Sequence, residues 1–197
     1  MIMQRGIALI RHVALSVVLI GCTQSQDQVY RQLEERELAS GARYDSLFKG
    51  LYFGMPYDSF RDHCMKMHVR GEFREGGRKS GAWVECNLTN EMKYPASLNF
   101  YPEFEESAIT QMRAAVYYNS DVTFKDHPFV KDSLLHDAIR LMDRWYGPGF
   151  VKIDSPDSLK EDIYVKVNGN RRITVYTDNI NTMINLWFVD LTKKKVE

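Results

Sequence analysis

The order of elements constrains the fold of this chain more than any other feature, because one helix-like segment followed by strand-like segments occurs twice. The first helix is predicted to begin at Pro56, since proline suits the first helical position, and Phe60, Cys64 and Met67 follow at i, i+4 and i+7 spacing. Three segments then alternate apolar with polar residues, as strands with one buried face do. They cover residues 82–88, 96–100 and 112–116.

The second helix is predicted to begin at Asp132 or Ser133, either of which can cap it, and to end at Gly147-Pro148. Its apolar stripe consists of Leu134, Ala138, Leu141 and Trp145. Asn168-Gly169 is the strongest short hairpin signal in the chain, because a tight turn between strands favours positive φ. The strands predicted after this helix are Ile163–Val167, Arg172–Thr177 and Met183–Leu191.

These patterns predict an α+β domain over residues 47–197, built from two tandem helix-plus-three-strand units at 47–120 and 121–197. The two helices begin about 76 residues apart, and the last strands of the two units have a similar separation. Antiparallel sheets commonly bury one face and leave the other in contact with water. We therefore expect one antiparallel sheet of about six strands, with both helices on one face.

The first 21 residues are typical of a secretory signal peptide. Arg5, Arg11 and His12 give the segment a basic start, and no acidic residue precedes Asp27. The apolar stretch Val13–Ile20 would span about 12 Å as a helix, against a hydrocarbon core of roughly 30 Å. This stretch is therefore too short to span a bilayer, and we predict a cleaved signal peptide.

The end of this segment, Leu19-Ile20-Gly21-Cys22, resembles the lipobox of bacterial lipoproteins, although Ile at its second position is less common than Ala or Ser. The resemblance implies a diacylglyceryl group on the Cys22 sulfur, cleavage before Cys22, and a further acyl chain, such as palmitate, on the new amino group. Thr23 takes the place of the Asp that retains enterobacterial lipoproteins at the inner membrane, which favours the outer membrane. Residues 22–46 are predicted to form a lipidated tether, helical from Asp27 to Ala39 and ended by Gly41.

Two short motifs flank the predicted helices: Gly50-Leu51-Tyr52-Phe53-Gly54-Met55 before the first helix, and Tyr146-Gly147-Pro148 at the end of the second. They resemble the Gly-Met and Tyr-Gly-x-Pro segments of small exported domains such as the SmpA/OmlA lipoproteins and the beta-lactamase inhibitor protein. Pro56 replaces the polar cap that follows Gly-Met in them. The resemblance implies a duplicated α/β module.

Composition excludes some functions and leaves others open. The 26 Lys and Arg equal the 26 Asp and Glu, so no basic surplus supports binding to nucleic acid.

Cys64 and Cys86 should point into one core, where they either form a disulfide or remain buried thiols. His63 and His68 lack the convergent partners that zinc requires, and no hydrolase motif occurs. We therefore predict no metal, no cofactor and no identifiable catalytic residue.

Aromatic residues give the main indication of function. If Cys86, Val165 and Leu186 face the helices, the opposite sheet face carries Trp, Tyr and Arg, the residues that often dominate protein recognition. Its predicted members are Trp83, Glu85, Tyr101, Arg113, Tyr117, Tyr164, Tyr176 and Trp187. We expect a non-catalytic module held on the membrane by its lipid and binding an envelope protein through this face. The alternative explanations of the aromatic residues are strand propensity alone and a face covered by the tether. The alternative functions are an envelope hydrolase without a readable motif and a purely structural lipoprotein.

Overall fold

The computed structural model describes residues 26–76, 83–119, 131–153, 160–178 and 183–193. Within these ranges the helices are α1 (Gln26–Ala39), α2 (Tyr57–Val69) and α3 (Lys131–Tyr146). None of them is both long and apolar enough to cross a bilayer. The predicted signal peptide (1–21) and the predicted lipidation site, Cys22, lie outside the described residues.

Eight strands form one antiparallel sheet, in the spatial order β1-β2-β3-β4-β8-β7-β6-β5. This confirms the α+β class and the single antiparallel sheet, with two strands more than predicted. The extra strands, β1 and β5, are three residues long, too short for alternation to be visible in the sequence. The strands are β1 (Phe73–Glu75), β2 (Val84–Asn87), β3 (Ala96–Glu105), β4 (Ala108–Tyr118), β5 (Val151–Ile153), β6 (Lys160–Asn168), β7 (Arg171–Asp178) and β8 (Ile184–Asp190).

Helices α2 and α3 pack on one face of the sheet, where they form the larger hydrophobic core. The predicted stripes supply this core, since Phe60 and Met67 of α2 and Leu141 of α3 are buried in it. The Phe48 ring, from the segment before α2, lies 5.1 Å from the Phe100 ring and 5.8 Å from the Trp145 ring. Large aromatic side chains therefore join the sheet to α3 at the centre of the molecule.

Helix α1 packs on the opposite face of the sheet, against β5 and β6. Tyr30 and Leu33 lie on a second, smaller core of buried aliphatic side chains. The predicted helix and its end at Gly41 (φ +66) agree with the structure. The segment also contacts the folded body, because α1 packs on β5 and β6 and the Tyr44 amide donates a hydrogen bond to Asn170 Oδ1. The second core consists of Ile163, Val165, Val167, Val189 and Leu191.

The turn between β3 and β4 has an unusual backbone for its residues. Glu106 (φ 50) and Ser107 (φ 63) both have positive φ, a region that costs most L-residues about 1 kcal/mol or more. The turn is fixed in place because the Ser107 carbonyl accepts a 2.8 Å hydrogen bond from the Tyr57 amide at the start of α2. It thereby joins the hairpin to the helix.

We predict that replacing Glu106-Ser107 with Asn-Gly stabilises the protein by about 1–2 kcal/mol, because that pair suits two consecutive positive φ angles. The melting temperature in thermal unfolding should rise by several degrees. An unchanged or lower melting temperature would contradict this reading of the turn.

Candidate functional site

The candidate site is built from cross-strand pairs on the sheet face opposite α2 and α3, which we call the outer face. In the middle of the sheet Tyr101 of β3 pairs with Arg113 of β4, and Arg113 pairs with Trp187 of β8. Directly paired residues point to the same side of a sheet. Trp83 precedes β2 and is one position from the helix-facing Val84, so it also lies on the outer face.

The Arg113 and Trp187 side chains hold each other in a fixed arrangement. The Arg113 guanidinium lies 4.8 Å from the Trp187 ring centroid, and its Nε donates a 2.5 Å hydrogen bond to Glu103 Oε1. Arg172 lies 5.3 Å from the same ring, while the indole N–H donates to Gln111 Oε1 at 2.9 Å. The Trp187 ring is therefore held in position by contacts with two guanidinium groups and by its own hydrogen bond.

A buried polar cluster occupies the same face over β1–β4. The Glu85 carboxylate accepts hydrogen bonds from Arg74 Nε (2.6 Å) and from the Tyr117 hydroxyl (2.5 Å). Burial and the bond to Glu85 raise the pKa of Tyr117 to about 12, so its hydroxyl stays protonated and continues to donate. Tyr117 is thus on the predicted face, but it is buried and stabilises the sheet.

Two of the predicted tyrosines do not lie on an open surface. Tyr164 pairs with Val175 and packs against the larger core, on the other side of the sheet from the outer face. Tyr176 is on the outer face but packs against the second core, which α1 also contacts. The predicted phase of β6 is wrong because Val165 faces α1. Both sides of this strand are packed, so alternation alone does not identify its inner side.

The remaining predicted residues on the outer face are Trp83, Tyr101, Arg113 and Trp187, of which Trp187 is partly buried against the second core. We call the surface formed by Trp83, Tyr101 and Arg113, together with Arg74 of β1, the open patch. Tyr101 is 37% exposed, and the Arg113 side chain is 52% exposed. Arg74 extends the patch at the sheet edge and was missed in the sequence because β1 has only three residues. The open patch combines a charged rim with aromatic area, as protein-binding surfaces do.

No family model, curated protein or solved structure matches this chain.

A groove of about 390 Å³ lies beside the open patch and shares Arg113 with it. Its charged side chains include acids and bases in similar numbers, so it suits a polar partner better than a purely apolar one. Arg172 had no signal in the sequence, because its role depends on cross-strand proximity to Trp187. The groove is lined by Glu103, Arg113, Arg172, Trp187, Asp190 and Lys193, among others.

Of the two alternatives for Cys64 and Cys86, the structure has the thiols: both residues are free cysteines of the larger core or packed against it. Burial raises the pKa of Cys64 to about 11 and that of Cys86 to about 12. The thiolate form is therefore scarce at neutral pH, and the two cysteines act as small hydrophobic residues. Within the described ranges, no three His, Cys, Asp or Glu side chains converge as a metal site requires.

We predict that two free thiols are counted when the unreduced Cys22→Ser variant is denatured. In the folded variant the same two thiols should react slowly with a thiol reagent. At pH 8 the raised pKa values reduce the thiolate fraction roughly 100-fold for Cys64 and roughly 1,000-fold for Cys86. Reactivity should recover only as the pH approaches 11 for Cys64 and 12 for Cys86. Thiol counting with and without denaturant measures this. Failure to detect thiols in the denatured sample would instead indicate the disulfide.

Proposed function

We propose that this protein is a lipid-anchored lipoprotein of the bacterial envelope that binds an envelope protein through the open patch. The observation that supports this proposal is that α1 covers only part of the outer face and leaves β3 and β4 uncovered. Helix α1 packs on β5 and β6, while Tyr101 and Arg113 on β3 and β4 keep substantial exposed area. Exposed Trp, Tyr and Arg side chains on a rigid sheet lose little conformational entropy on binding.

The proposed anchor is compatible with the position of α1. Only three residues separate Cys22 from Gln26, the first residue of α1, and an extended chain of this length reaches about 14 Å. Because α1 is docked on the sheet, the body would sit close to the lipid surface in a restricted orientation. The outer membrane is the proposed location, on the basis of Thr23.

We further propose that the fold arose by duplication of a unit of one helix and four strands. Two features support this. Each helix is followed by a four-strand meander, and the final strands of the two meanders, β4 and β8, pair at the centre of the sheet. The strands of the second half begin about 75 residues after their counterparts.

Site-specific photo-crosslinking in intact cells tests the binding function. A photoreactive residue at position 101 should give a discrete protein adduct, and the same residue at Met65, which is 63% exposed on α2, should not. Adding Trp83→Ala and Arg113→Ala should reduce the adduct at least tenfold, because central aromatic and Arg residues contribute most of the affinity.

The double variant should retain its thermal unfolding within a few degrees, since both side chains are partly exposed. Equal adducts at positions 65 and 101, or an adduct that survives the double substitution, would rule out the open patch as the binding surface.

A further inference from the structure

The loop between β2 and β3 and the exposed side of α3 enclose a pocket of about 490 Å³ on the face opposite the open patch. Loop residues 90–93 form one wall, and Asp137, Arg140 and Arg144 of α3 form the other. Arg140 and Arg144 are four residues apart on one helix, so both side chains project on the same side. Lys93 approaches from the loop.

Arg140 is held in place by a buried carboxylate. Asp137 is 3% exposed, accepts a 2.6 Å hydrogen bond from the Tyr118 hydroxyl, and pairs with the guanidinium of Arg140. One nitrogen of Arg140, Nη2, makes this contact, and the side chain itself is 59% exposed. The guanidinium carries further N–H donors, and Arg140 is one of the residues that line the pocket.

Arg144 is held by a neutral acceptor, because its Nη2 donates to the backbone carbonyl of Glu91. The Glu91 carboxylate is occupied by Lys49 Nζ at 2.6 Å and by Trp145 Nε1 at 2.8 Å. In the described part of the chain, no carboxylate oxygen lies within 4.0 Å of Arg144 or Lys93. The pocket thus carries two positive charges that no acid in this region neutralises.

We propose that this pocket binds a phosphate monoester through Lys93, Arg140 and Arg144. The oxygens of a phosphate match the forked donors of guanidinium groups, and Lys93 adds a point charge. Asp137 and the Glu91 carbonyl orient the two arginines before binding, which reduces the entropy lost on complex formation. The site does not depend on the open patch, so either proposal can fail while the other stands.

Isothermal titration of the detergent-solubilised full-length protein at low ionic strength tests this site with three probes. Inorganic phosphate and glycerol 3-phosphate represent soluble sources, and dihexanoyl phosphatidic acid represents a lipid headgroup. All three should bind, and Lys93→Gln with Arg144→Gln should weaken each at least tenfold. Similar affinities for the last two probes indicate a soluble ligand, and affinity more than tenfold higher for the lipid indicates a headgroup.

The matched control is Arg61→Gln with Lys66→Gln, which removes the same two charges from exposed positions of α2. It should bind as the original protein does. Lys93→Gln alone, at an exposed loop position, keeps the test valid if the double variant unfolds, and it should lower affinity about threefold or more. Absence of binding, equal binding by the double variant, or an equal loss in the control would overturn the proposal.

Discussion

Changing Cys22 to Ser is expected to abolish fatty-acid attachment and to leave residues 1–21 on the chain. In the proposed pathway the sulfur of Cys22 is the only atom that can accept the diacylglyceryl group, and cleavage follows that modification. Each buried methylene contributes about 0.8 kcal/mol to membrane binding, so two or more acyl chains hold a protein stably. Loss of the sulfur should therefore be an all-or-none effect.

Metabolic labelling with an alkyne analogue of palmitate and the intact mass of the N-terminal peptide measure this. Cys64→Ser is the matched control, because Cys64 lies half-buried against the core and should not affect labelling. Equal labelling of the Cys22→Ser variant, or a native N-terminus that begins at Met1, would remove the basis for the envelope location.

The sequence predicted the buried side of elements that have one buried side, and it assigned the wrong side to β6, which is packed on both. Helix α2 shows its core side through Phe60 and Met67, and β3 and β4 show theirs through regular alternation. In β6 the apolar residues at 163, 165 and 167 belong to the second core with α1, while Tyr164 packs against the larger core. Because both faces of that strand are covered, the sequence pattern alone could not assign its phase.

The wrong phase of β6 follows from the unexpected docking of α1 on the face of the sheet that carries Val165. The sequence of α1 contains few apolar residues, and only Tyr30 and Leu33 contact the second core, so a solvated leader was the natural expectation. Polar contacts complete the docking: Arg172 Nη1 donates to the Tyr30 hydroxyl at 3.1 Å and lies 4.0 Å from a Glu34 oxygen. Such contacts between distant segments cannot be read from local periodicity.

The sequence predicted which sheet face carries the candidate site, but not the contacts that hold its side chains. Alternation in β3, β4 and β8 placed Tyr101, Arg113 and Trp187 on one face, and the strand register joins them. The sequence did not indicate that Arg172 and Gln111 would position Trp187, because those contacts depend on which strands are neighbours. A list of residues on a face therefore did not distinguish accessible side chains from supporting ones.

The Asn168-Gly169 signal marked a hairpin, and the structure adds a tertiary contact that the sequence did not show. Gly169 (φ +50) packs closely against the segment that follows α1. A Cβ atom at this position would lie 2.0 Å from the Ala42 carbonyl oxygen. This segment is tied to the hairpin, since Asn170 Oδ1 accepts a 2.6 Å hydrogen bond from the Tyr44 amide. A side chain at position 169 must push the two apart.

Gly169→Ala should therefore destabilise the protein by about 3 kcal/mol and lower its melting temperature by roughly 6–12 °C. Gly41→Ala separates backbone strain from steric overlap, because Gly41 also has positive φ (+66) but nothing within 4 Å of a Cβ. It should cost only about 1 kcal/mol. Trypsin should cut after Arg31 and Arg36 faster in Gly169→Ala, as α1 loses its hold on the sheet. Equal destabilisation and equal cleavage in the two variants would mean that Ala42 does not press on the hairpin, and that α1 docks independently of it.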